Sequence, residues 1–446
     1  MQRDVVVIGA GISGLAAAFY LKKKGLDVSL FEKSEHVGGV IRSLHKEGYL
    51  LEEGPNTYMG LTDPVQEMVE SLGLTESMVF PQKHASKRFI FRKGKLYRLP
   101  TNPFHYFTSG LLSFSSKLRI LCEPLVSKGR GDETVGQFFQ KRIGPEGTRI
   151  LVDSFVCGIY AGDIDKLSAN ACFPNLVELE RRHRSIFVGM LKSKQKKDRR
   201  LFSFPQGMQQ LPLEISKMLS SNLYLNHHVL SIEKTNKNFY TLTFEGPQGE
   251  KQLETRSVIF ATPAYVSAEV LQRLDSHLAT ALLGVPYTSL CVFHFGYEKA
   301  QIKHPLKGFG FLIPRSQKKR TLGVLWSSSL FSNRAPEDHK LLTVMVGGAT
   351  DPTAYGDPLL LNQIKSELSY MLKIQGKPKM VHEKKWMKAI PQYNIGHVER
   401  RKNIFNHLKQ YPGLYVCGNY LNGVSTTQCI EQAKFLSDRV SSYLGS

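Results

Sequence analysis

The sequence predicts an α/β fold with some α+β character, and three stretches of the chain carry that prediction. Residues 5–31 have the pattern of a strand, a glycine-rich turn, a helix and a second strand. Between residues 284 and 390, apolar runs alternate with turns and one helical segment, which indicates a large mixed sheet with a helix. Residues 414–444 repeat the order strand, glycines, helix. Strands that alternate with helices are typical of α/β domains.

The glycine turn has the spacing of a Rossmann-type dinucleotide-binding motif. Its three glycines permit a tight bend, close approach of the backbone to a pyrophosphate, and close packing of the helix on the strand. The start of the helix offers free N–H groups and partial positive charge to phosphates. Glu32, at the end of the second strand, is placed to bind ribose hydroxyls. The predicted phosphate-binding residues are Gly9, Ala10, Gly11, Ile12, Ser13 and Gly14.

The following residues favour FAD over NAD. Gly38-Gly39 and Arg42 resemble the extension by which FAD-dependent oxidases and desaturases continue the motif, with Arg42 placed to neutralise pyrophosphate. The alternative is an ordinary glycine-rich turn with a solvated arginine. Gly54, Pro55, Asn56 and Thr57 can offer backbone groups to a flavin ring. The sequence has no second G-x-G-x-x-G near its middle, so we expect the substrate to reduce the flavin and oxygen or another external acceptor to reoxidise it.

Composition limits the class of protein. A chain of 446 residues can form two or three domains with substantial cores. The net charge of +21 has four explanations: nucleic acid, an anionic membrane surface, a polycarboxylate substrate, or a diffuse basic bias without function. Because no nucleic-acid-binding signature accompanies the charge, we predict no nucleic-acid partner. The sequence leaves the oligomeric state open.

The cysteines and histidines do not predict a metal site. The six cysteines are scattered, with no C-x-x-C and no histidine at ligand spacing, which argues against zinc and against disulfides. His227 and His228 are adjacent on a predicted strand and point to opposite faces, so a shared metal is not expected. Met1 to Asp4 lead directly into the first strand and leave no room for a signal peptide, so we expect a cytoplasmic location.

Two segments bear on membrane contact. No apolar run approaches eighteen residues, so no spanning helix is predicted. Leu99–Ser116 carries no charge if His105 is neutral and is rich in aromatic residues; it either lies in a membrane interface or belongs to the core. Lys192–Arg200 has six basic residues against one aspartate, and a mobile solvated loop is favoured there over a lipid or partner contact.

Nine short blocks make a resemblance specific. They resemble the protoporphyrinogen/coproporphyrinogen oxidase family of haem biosynthesis, and the resemblance extends essentially from end to end. The blocks are Asp132–Phe138, Arg142–Glu146, Gly158–Asp163, Leu167-Ser168, Cys172–Pro174, His183–Ile186, Ile390–Tyr393, Gly396-His397 and Gly423–Ser425.

The resemblance implies three parts and one reaction. The parts are an FAD-binding domain (1–63, 205–283 and 395–446), a substrate-binding domain (64–98 and 284–394) and a helical, membrane-associating domain (99–204). The reaction is the six-electron oxidation of protoporphyrinogen IX or coproporphyrinogen III in three steps, with oxygen as acceptor and hydrogen peroxide as product. The implied FAD contacts beyond the phosphate turn are Glu32, Lys33, Val40, Gly54, Pro55, Asn56, Thr57, Val229, Trp386, Asn419, Val424, Ser425 and Thr426.

A porphyrinogen is a flexible apolar macrocycle that carries propionates. It needs an aromatic and aliphatic cavity with a few cations, and neither a nucleophile nor a metal. Arg98 is the first candidate for a propionate contact, and Arg42 is the second. Some members of the family carry an arginine after their Leu-Pro-Thr block, whereas Leu99–Thr101 is followed here by Asn102. The preferred porphyrinogen therefore stays open.

Two further departures leave alternatives open. Gln428 stands where the family usually has aspartate, and we expect the loss of the acid to weaken the cap of the last helix. Ala433 adds a methyl group where the family has glycine. One alternative is another flavoenzyme of the amine-oxidase fold that acts on an amine or a polyene. The other is an inactive protein that binds flavin and tetrapyrrole.

Overall fold

The computed structural model describes residues 2–129, 131–192, 198, 200–235 and 239–445. Most of the basic run Lys192–Arg200 lies outside the described residues, so the prediction made for it stays a prediction. Within the described ranges, no helix has both the length and the apolar character needed to cross a membrane.

The first half of the chain begins with the predicted strand, helix and strand. Helix α1 starts at Ile12, three residues before the predicted start, because Gly11 serves as its N-cap. The elements are β1 (Gln2–Ile8), α1 (Ile12–Lys23), β2 (Val28–Phe31), β3 (Ser43–Lys46), β4 (Tyr49–Glu52), β5 (Tyr58–Met59), α2 (Asp63–Ser71), β6 (Arg88–Arg92), β7 (Lys95–Arg98), α3 (Pro103–Thr108), α4 (Phe114–Leu121), α5 (Val135–Gly147), α6 (Asp153–Tyr160), α7 (Ala169–Cys172), α8 (Pro174–His183) and α9 (Ile186–Lys192).

The second half supplies most of both sheets. It ends with the predicted strand and helix, and that helix, α16, also begins three residues early. The elements are β8 (Leu201–Phe202), α10 (Gln210–Met218), β9 (Leu223–Tyr224), β10 (His228–Lys234), β11 (Tyr240–Gly246), β12 (Gly249–Phe260), α11 (Ala264–Leu271), α12 (Ser276–Leu283), β13 (Tyr287–Glu298), β14 (Gly310–Leu312), β15 (Thr321–Leu325), α13 (Ser327–Leu330), β16 (His339–Gly347), α14 (Leu360–Leu372), β17 (Met380–Pro391), α15 (His397–Leu408), β18 (Leu414–Val416) and α16 (Thr426–Leu444).

Five parallel strands form the centre of the first sheet, in the order β18–β12–β1–β2–β9. The antiparallel strands β11 and β10 extend it beside the first half of β12. Helices α1, α2, α10 and α16 cover one face, and α11, α12 and α15 cover the other. Residues 16–18 of α1 are buried alanines, whose small side chains let the helix lie close to its neighbours. This is the predicted Rossmann-type unit.

The second sheet has seven strands in the order β17–β13–β16–β15–β14–β6–β7. Every neighbouring pair is antiparallel except β14 and β6, so the sheet is mixed, as predicted. Helix α14 packs on one face, against alternate residues of β13 such as Phe293 and Phe295. The opposite face presents Leu290 and Val292 to the rest of the molecule.

The helical region, α3 to α9, is organised around a buried arginine. Arg142 donates to the carboxylates of Glu180 and Glu123, and all three side chains are buried. The hydroxyl of Ser185 donates to Glu123 as well. A buried cation balanced by carboxylates is costly to disrupt, because removal of one partner leaves an uncompensated charge.

Replacement of Arg142 should therefore destabilise this region. We expect Arg142→Ala to cost about 3–5 kcal/mol, because two carboxylates lose their cation. Lys141→Ala is the matched control at the adjacent exposed position, where the ion pair with Glu133 should contribute less than about 1 kcal/mol. Hydrogen exchange of residues 103–192 measures both. Equal losses in the two variants would contradict the role assigned to Arg142.

His397, the first residue of α15, is buried and lies flat on the ring of Tyr393, with 4.2 Å between the ring centroids. Burial lowers the pKa of His397 to about 4, and the positive charges of Arg400 and Arg401 also lower it. An unfolded histidine titrates near pH ~6.5. Between these values the unfolded chain binds a proton that the folded protein does not, so stability falls as the pH falls through this window.

The variant His397→Phe should lose less stability on acidification. Between pH 6.5 and pH 4, the unfolding free energy of the wild type should fall by on the order of 3 kcal/mol more than that of the variant. His277→Phe is the control, since His277 is exposed and stacks on His407 as His397 stacks on Tyr393. Urea unfolding at a series of pH values gives the difference. Parallel curves for wild type and His397→Phe would show that His397 is not held neutral.

Candidate active site

The three glycines of the first turn occupy different environments. Gly9 has a φ of +100°, which favours glycine, and its N–H donates to the carbonyl of Phe31 over 2.7 Å. A Cβ on Gly14 would lie 1.9 Å from the carbonyl oxygen of Gly9, so this position requires glycine for close packing. A Cβ on Gly11 would meet no atom within 4 Å. The turn therefore leaves open space where the motif predicts a pyrophosphate.

The second glycine pair packs directly on the first turn. The N–H of Gly38 donates to the carbonyl of Ala10 over 2.8 Å, and Gly38 forms a parallel bridge with Gly11. A Cβ on Gly39 would lie 3.3 Å from Cα of Gly11. This close approach distinguishes the pair from the ordinary surface turn that was the alternative. Ile12 and Ser13 are buried at the start of α1.

Glu32 lies beside the turn, as predicted. Its Oε2 accepts the N–H of Ala10 over 2.7 Å, and its Oε1 accepts the N–H and hydroxyl of Ser34. Lys33, the next residue, is exposed. Val229 lies near the start of β10 and shares a buried cluster with Phe31, the residue before Glu32. The predicted ribose-binding end of the site is thus assembled from β2 and β10.

The segment around Arg42 meets the second predicted loop. A Cβ on Gly54 would lie 2.0 Å from the carbonyl oxygen of Val40, so the two backbones touch. Nε of Arg42 is buried, and no hydrogen-bond partner is found for it in the described chain. Asn56 donates to the carbonyl of Gly54 over 3.1 Å, and Pro55 and Thr57 are half-buried beside it.

Trp386 is held against this loop by Glu53. Its indole N–H donates to the carbonyl of Glu53 over 2.8 Å. The Glu53 carboxylate lies 2.8 Å from Nε2 of His382 and 3.3 Å from Nζ of Lys384. Burial raises the pKa of Glu53, but these two partners outweigh it, and the pKa lies below its ordinary value. Three alternate residues of β17, His382, Lys384 and Trp386, thus contact Glu53, the residue before Gly54. We call this set of contacts the Glu53 clamp.

The third predicted loop follows β18. Asn419 is half-buried, and its carbonyl accepts the hydroxyl of Tyr393. Val424 packs against a buried cluster of the helical region. Ser425 is the N-cap of α16, and Thr426 is its first residue.

The last helix keeps a complete cap with Gln428 in place of the acid, and the prediction that this cap is weaker stays a prediction. Ser425 accepts the N–H of Gln428, while the Gln428 side chain accepts from the N–H of Ser425 over 3.3 Å. This reciprocal arrangement is a capping box, which glutamine completes without a charge. Ala433 is fully buried in the core beneath α16, where its methyl group is accommodated.

The structure does not bring Arg98 to these residues. Arg98 pairs with Phe89, which packs on the face of the second sheet that α14 covers. Trp386 pairs with Leu290 on the opposite face and on the opposite edge strand. Six strand spacings of ~4.8 Å separate β7 from β17. The propionate contact of Arg98 stays a prediction.

The sequence did not assign roles to Glu53, His382, Lys384 and Tyr393. A signal for the clamp exists in the sequence, because His382 and Lys384 alternate with Trp386 at the period of a strand. Glu53 also directly precedes the Gly54 loop. Tyr393 belongs to a block that carried the family resemblance, but its contact with Asn419 depends on the fold.

The chemistry of this surface fits FAD. The open space at Gly11 leaves room for a pyrophosphate, and Nε of Arg42 is a buried donor for which no partner is found in the described chain. Glu32 offers a carboxylate, and Trp386 and the Gly54 loop offer a half-buried surface for an aromatic ring. Among the described residues, no group of three or more His, Cys, Asp or Glu side chains has a geometry that could hold a metal ion.

Comparisons with known proteins identify a family for this chain. The family of flavin-containing amine oxidoreductases matches residues 12–441. Mitochondrial protoporphyrinogen oxidase of Nicotiana tabacum is 34% identical over 100% of this chain and 96% of its own length. Coproporphyrinogen III oxidase of Bacillus subtilis (strain 168) is 31% identical over 100% and 99%.

A solved structure from Exiguobacterium sp. 255-15 shares the fold, with a TM-score of 0.84, 24% identity and coverage of 100% of this chain and 99% of that one. Cyclohexylamine oxidase from Brevibacterium oxydans IH-35A shares it with a TM-score of 0.71, 17% identity and full coverage of both chains. FAD is therefore the cofactor, as the sequence predicted. The chain belongs to the protoporphyrinogen/coproporphyrinogen oxidase family of flavin-containing amine oxidoreductases.

Proposed function

We propose that this flavoprotein oxidises a porphyrinogen, protoporphyrinogen IX or coproporphyrinogen III, to the porphyrin. Six electrons leave in three steps, and three O2 become three H2O2. The observation that carries the proposal is the end-to-end similarity to relatives named for these two oxidations. In the proposed arrangement the Gly9–Gly14 turn and Arg42 hold the pyrophosphate of FAD, Glu32 holds a ribose, and the Gly54 and Asn419 loops border the flavin ring.

A buried apolar cluster lies where the helical region meets the second sheet, next to Trp386. Cys157 and Ala161 of the helical region meet Leu290 and Val292 of the second sheet, and Trp386 packs against them. The partly buried neighbours of this cluster, Trp386, Ala389 and Ile390, are apolar side chains against which a macrocycle would gain from burial. Burial raises the pKa of Cys157 to about 12, so its thiol stays protonated and is not a nucleophile.

The cofactor and the residues of the chain have different roles in the proposed reaction. FAD, when bound, supplies the two-electron oxidation itself. Trp386, Ala389 and Ile390 offer the macrocycle an apolar contact, while the Glu53 clamp fixes the loop that borders the proposed flavin position. We assign no acid–base residue to the chemistry, since the cofactor accepts the electrons.

The two departures that motivated the inactive-binder alternative are accommodated by the structure. Gln428 closes a capping box, and Ala433 is packed in the core. The amine-oxidase alternative shares the fold with cyclohexylamine oxidase, at an identity that shows the fold alone. An assay of porphyrin fluorescence and peroxide formation distinguishes both alternatives from a porphyrinogen oxidase.

The first measurement is the growth of porphyrin fluorescence by the purified holoprotein with each porphyrinogen, beside peroxide formation and an autoxidation blank. We expect a catalysed rise with one substrate clearly preferred, and one H2O2 for every two electrons. Bound FAD without a rise above the blank would overturn the proposal. Turnover of an amine would then favour an amine oxidase, and porphyrin binding without peroxide would favour a carrier.

In Arg98→Gln, a raised KM would support the propionate contact, and an unchanged KM would exclude it.

We further propose that the helical region makes a peripheral contact with an anionic membrane. Apolar side chains of α3, α4 and α9 and of the segment after α4 are exposed. They are Phe104, Phe107, Phe114, Leu118, Leu121, Leu125, Phe187, Met190 and Leu191. The sole acidic residue between residues 99 and 129, Glu123, is buried, whereas Lys128 is exposed. An apolar surface without exposed acids favours anionic headgroups. Leu111 and Leu112 are buried, so the uncharged stretch serves both the core and the surface.

Flotation with liposomes tests this contact. The wild type should float with phosphatidylserine vesicles at low salt and less at high salt. Phe114→Asp should lower the bound fraction several-fold, because a charge replaces an inserted ring. Phe435→Asp is the control: both rings are 66% exposed, and Phe435 lies on α16. A wild type that stays at the bottom of the gradient, or equal losses in both variants, would overturn the proposal.

A further inference from the structure

The segment 392–397 is the junction of the three parts of the molecule. The N–H of Ser168, in the helical region, donates to the carbonyl of Tyr393 over 2.8 Å. The N–H of Gly396 donates to Asp132 of the same region over 3.0 Å. The segment follows directly on β17 of the second sheet and leads into α15, which packs on the first sheet. Several of the blocks that carry the family resemblance thus meet at one place.

Tyr393 is the most buried side chain at the centre of this junction. Its ring stacks on His397, and the ring of Tyr160 approaches it edge-on, with 5.8 Å between centroids. Its hydroxyl donates to the carbonyl of Asn419. The phenol therefore contacts the first residue of the loop 419–423.

The state of this hydroxyl is fixed by its surroundings. Burial raises the pKa of Tyr393 well above its ordinary value, so the group keeps its proton and remains a donor. Loss of the donor removes one hydrogen bond to the half-buried Asn419, which costs on the order of 1 kcal/mol, or on the order of tenfold in an equilibrium constant. The position of the loop therefore depends on this donor.

We propose that Tyr393 is a positioning residue for the flavin, which it serves by holding the loop 419–423 in place from the helical region. The inference deepens the proposed function, since it rests on the placement of the flavin beside Asn419 and Val424. Tyr393 itself makes no contact with the reacting atoms. It transmits the position of the helical region to the loop on the cofactor.

The test compares two tyrosine variants. Tyr393→Phe keeps the ring and its stacking and removes the hydroxyl alone. Tyr160→Phe is the matched control, because Tyr160 is also buried and donates to a backbone carbonyl, that of Cys172, over 3.3 Å. Both variants lose one such bond, but only Tyr393 is bonded to the predicted flavin loop.

We expect Tyr393→Phe to raise the dissociation constant of FAD about tenfold and to change the visible circular dichroism of the bound flavin. Tyr160→Phe should leave both within about twofold of the wild type. The apoproteins of the two variants should unfold at similar urea concentrations, while stabilisation by added FAD should fall in Tyr393→Phe alone. The comparison of apoprotein stability with stabilisation by FAD distinguishes an effect on the position of the loop from an effect on folding.

The outcomes also separate this inference from the proposed function. An unchanged FAD affinity and flavin spectrum in Tyr393→Phe would overturn the inference, even if the wild type oxidises a porphyrinogen. A selective loss in Tyr393→Phe would support it, even if the wild type oxidises neither porphyrinogen. Equal losses of FAD affinity in both variants would show a general effect of core polarity and would overturn it.

Discussion

Direct contact between backbones, with no side chain between them, is the constraint on which the site depends. The turn after β1 closes because nothing but hydrogen fits at Gly14 against the carbonyl of Gly9. The loop before β5 lies on Val40 because Gly54 has no Cβ. These contacts bring three separate loops to one edge of the parallel sheet, and a dinucleotide can then lie along main-chain groups. Side chains such as Arg42 and Glu32 add charge to a surface that the backbone has already shaped.

The local parts of this arrangement could be predicted from the sequence. The strand, turn, helix and acid of the first unit lie within 32 residues, and their spacing is sufficient evidence for the motif. The starts of α1 and α16 were placed three residues late, because the first turn of a helix follows its cap rather than its apolar period. The mixed sheet was predicted as a class, but its strand order was not.

The remaining contacts depend on long-range pairing. The alternation of β6 and β7 shows which residues share a face, but only the pairing with β14 decides which face α14 covers. Because α14 covers the face on which Phe89 lies, Arg98 lies on the opposite face of the sheet from Trp386. The contact between Glu53 and His382 joins residues 329 positions apart, and no local pattern specifies it. Tyr393 lies in one of the blocks that carry the family resemblance, but its hydrogen bond to Asn419 depends on the fold.

The Glu53 clamp also acts as a check on strand register. β17 is an edge strand with β13 as its one neighbour in the sheet, and a slip by one residue would turn its side chains to the other face. In the native pairing, His382 and Lys384 meet the carboxylate of Glu53. A slip by one residue would present Glu383 there instead and would set two acids against each other. The residue that contacts the cofactor loop thereby also disfavours a misaligned edge strand, so one set of contacts favours both the native register of β17 and the native position of the Gly54 loop.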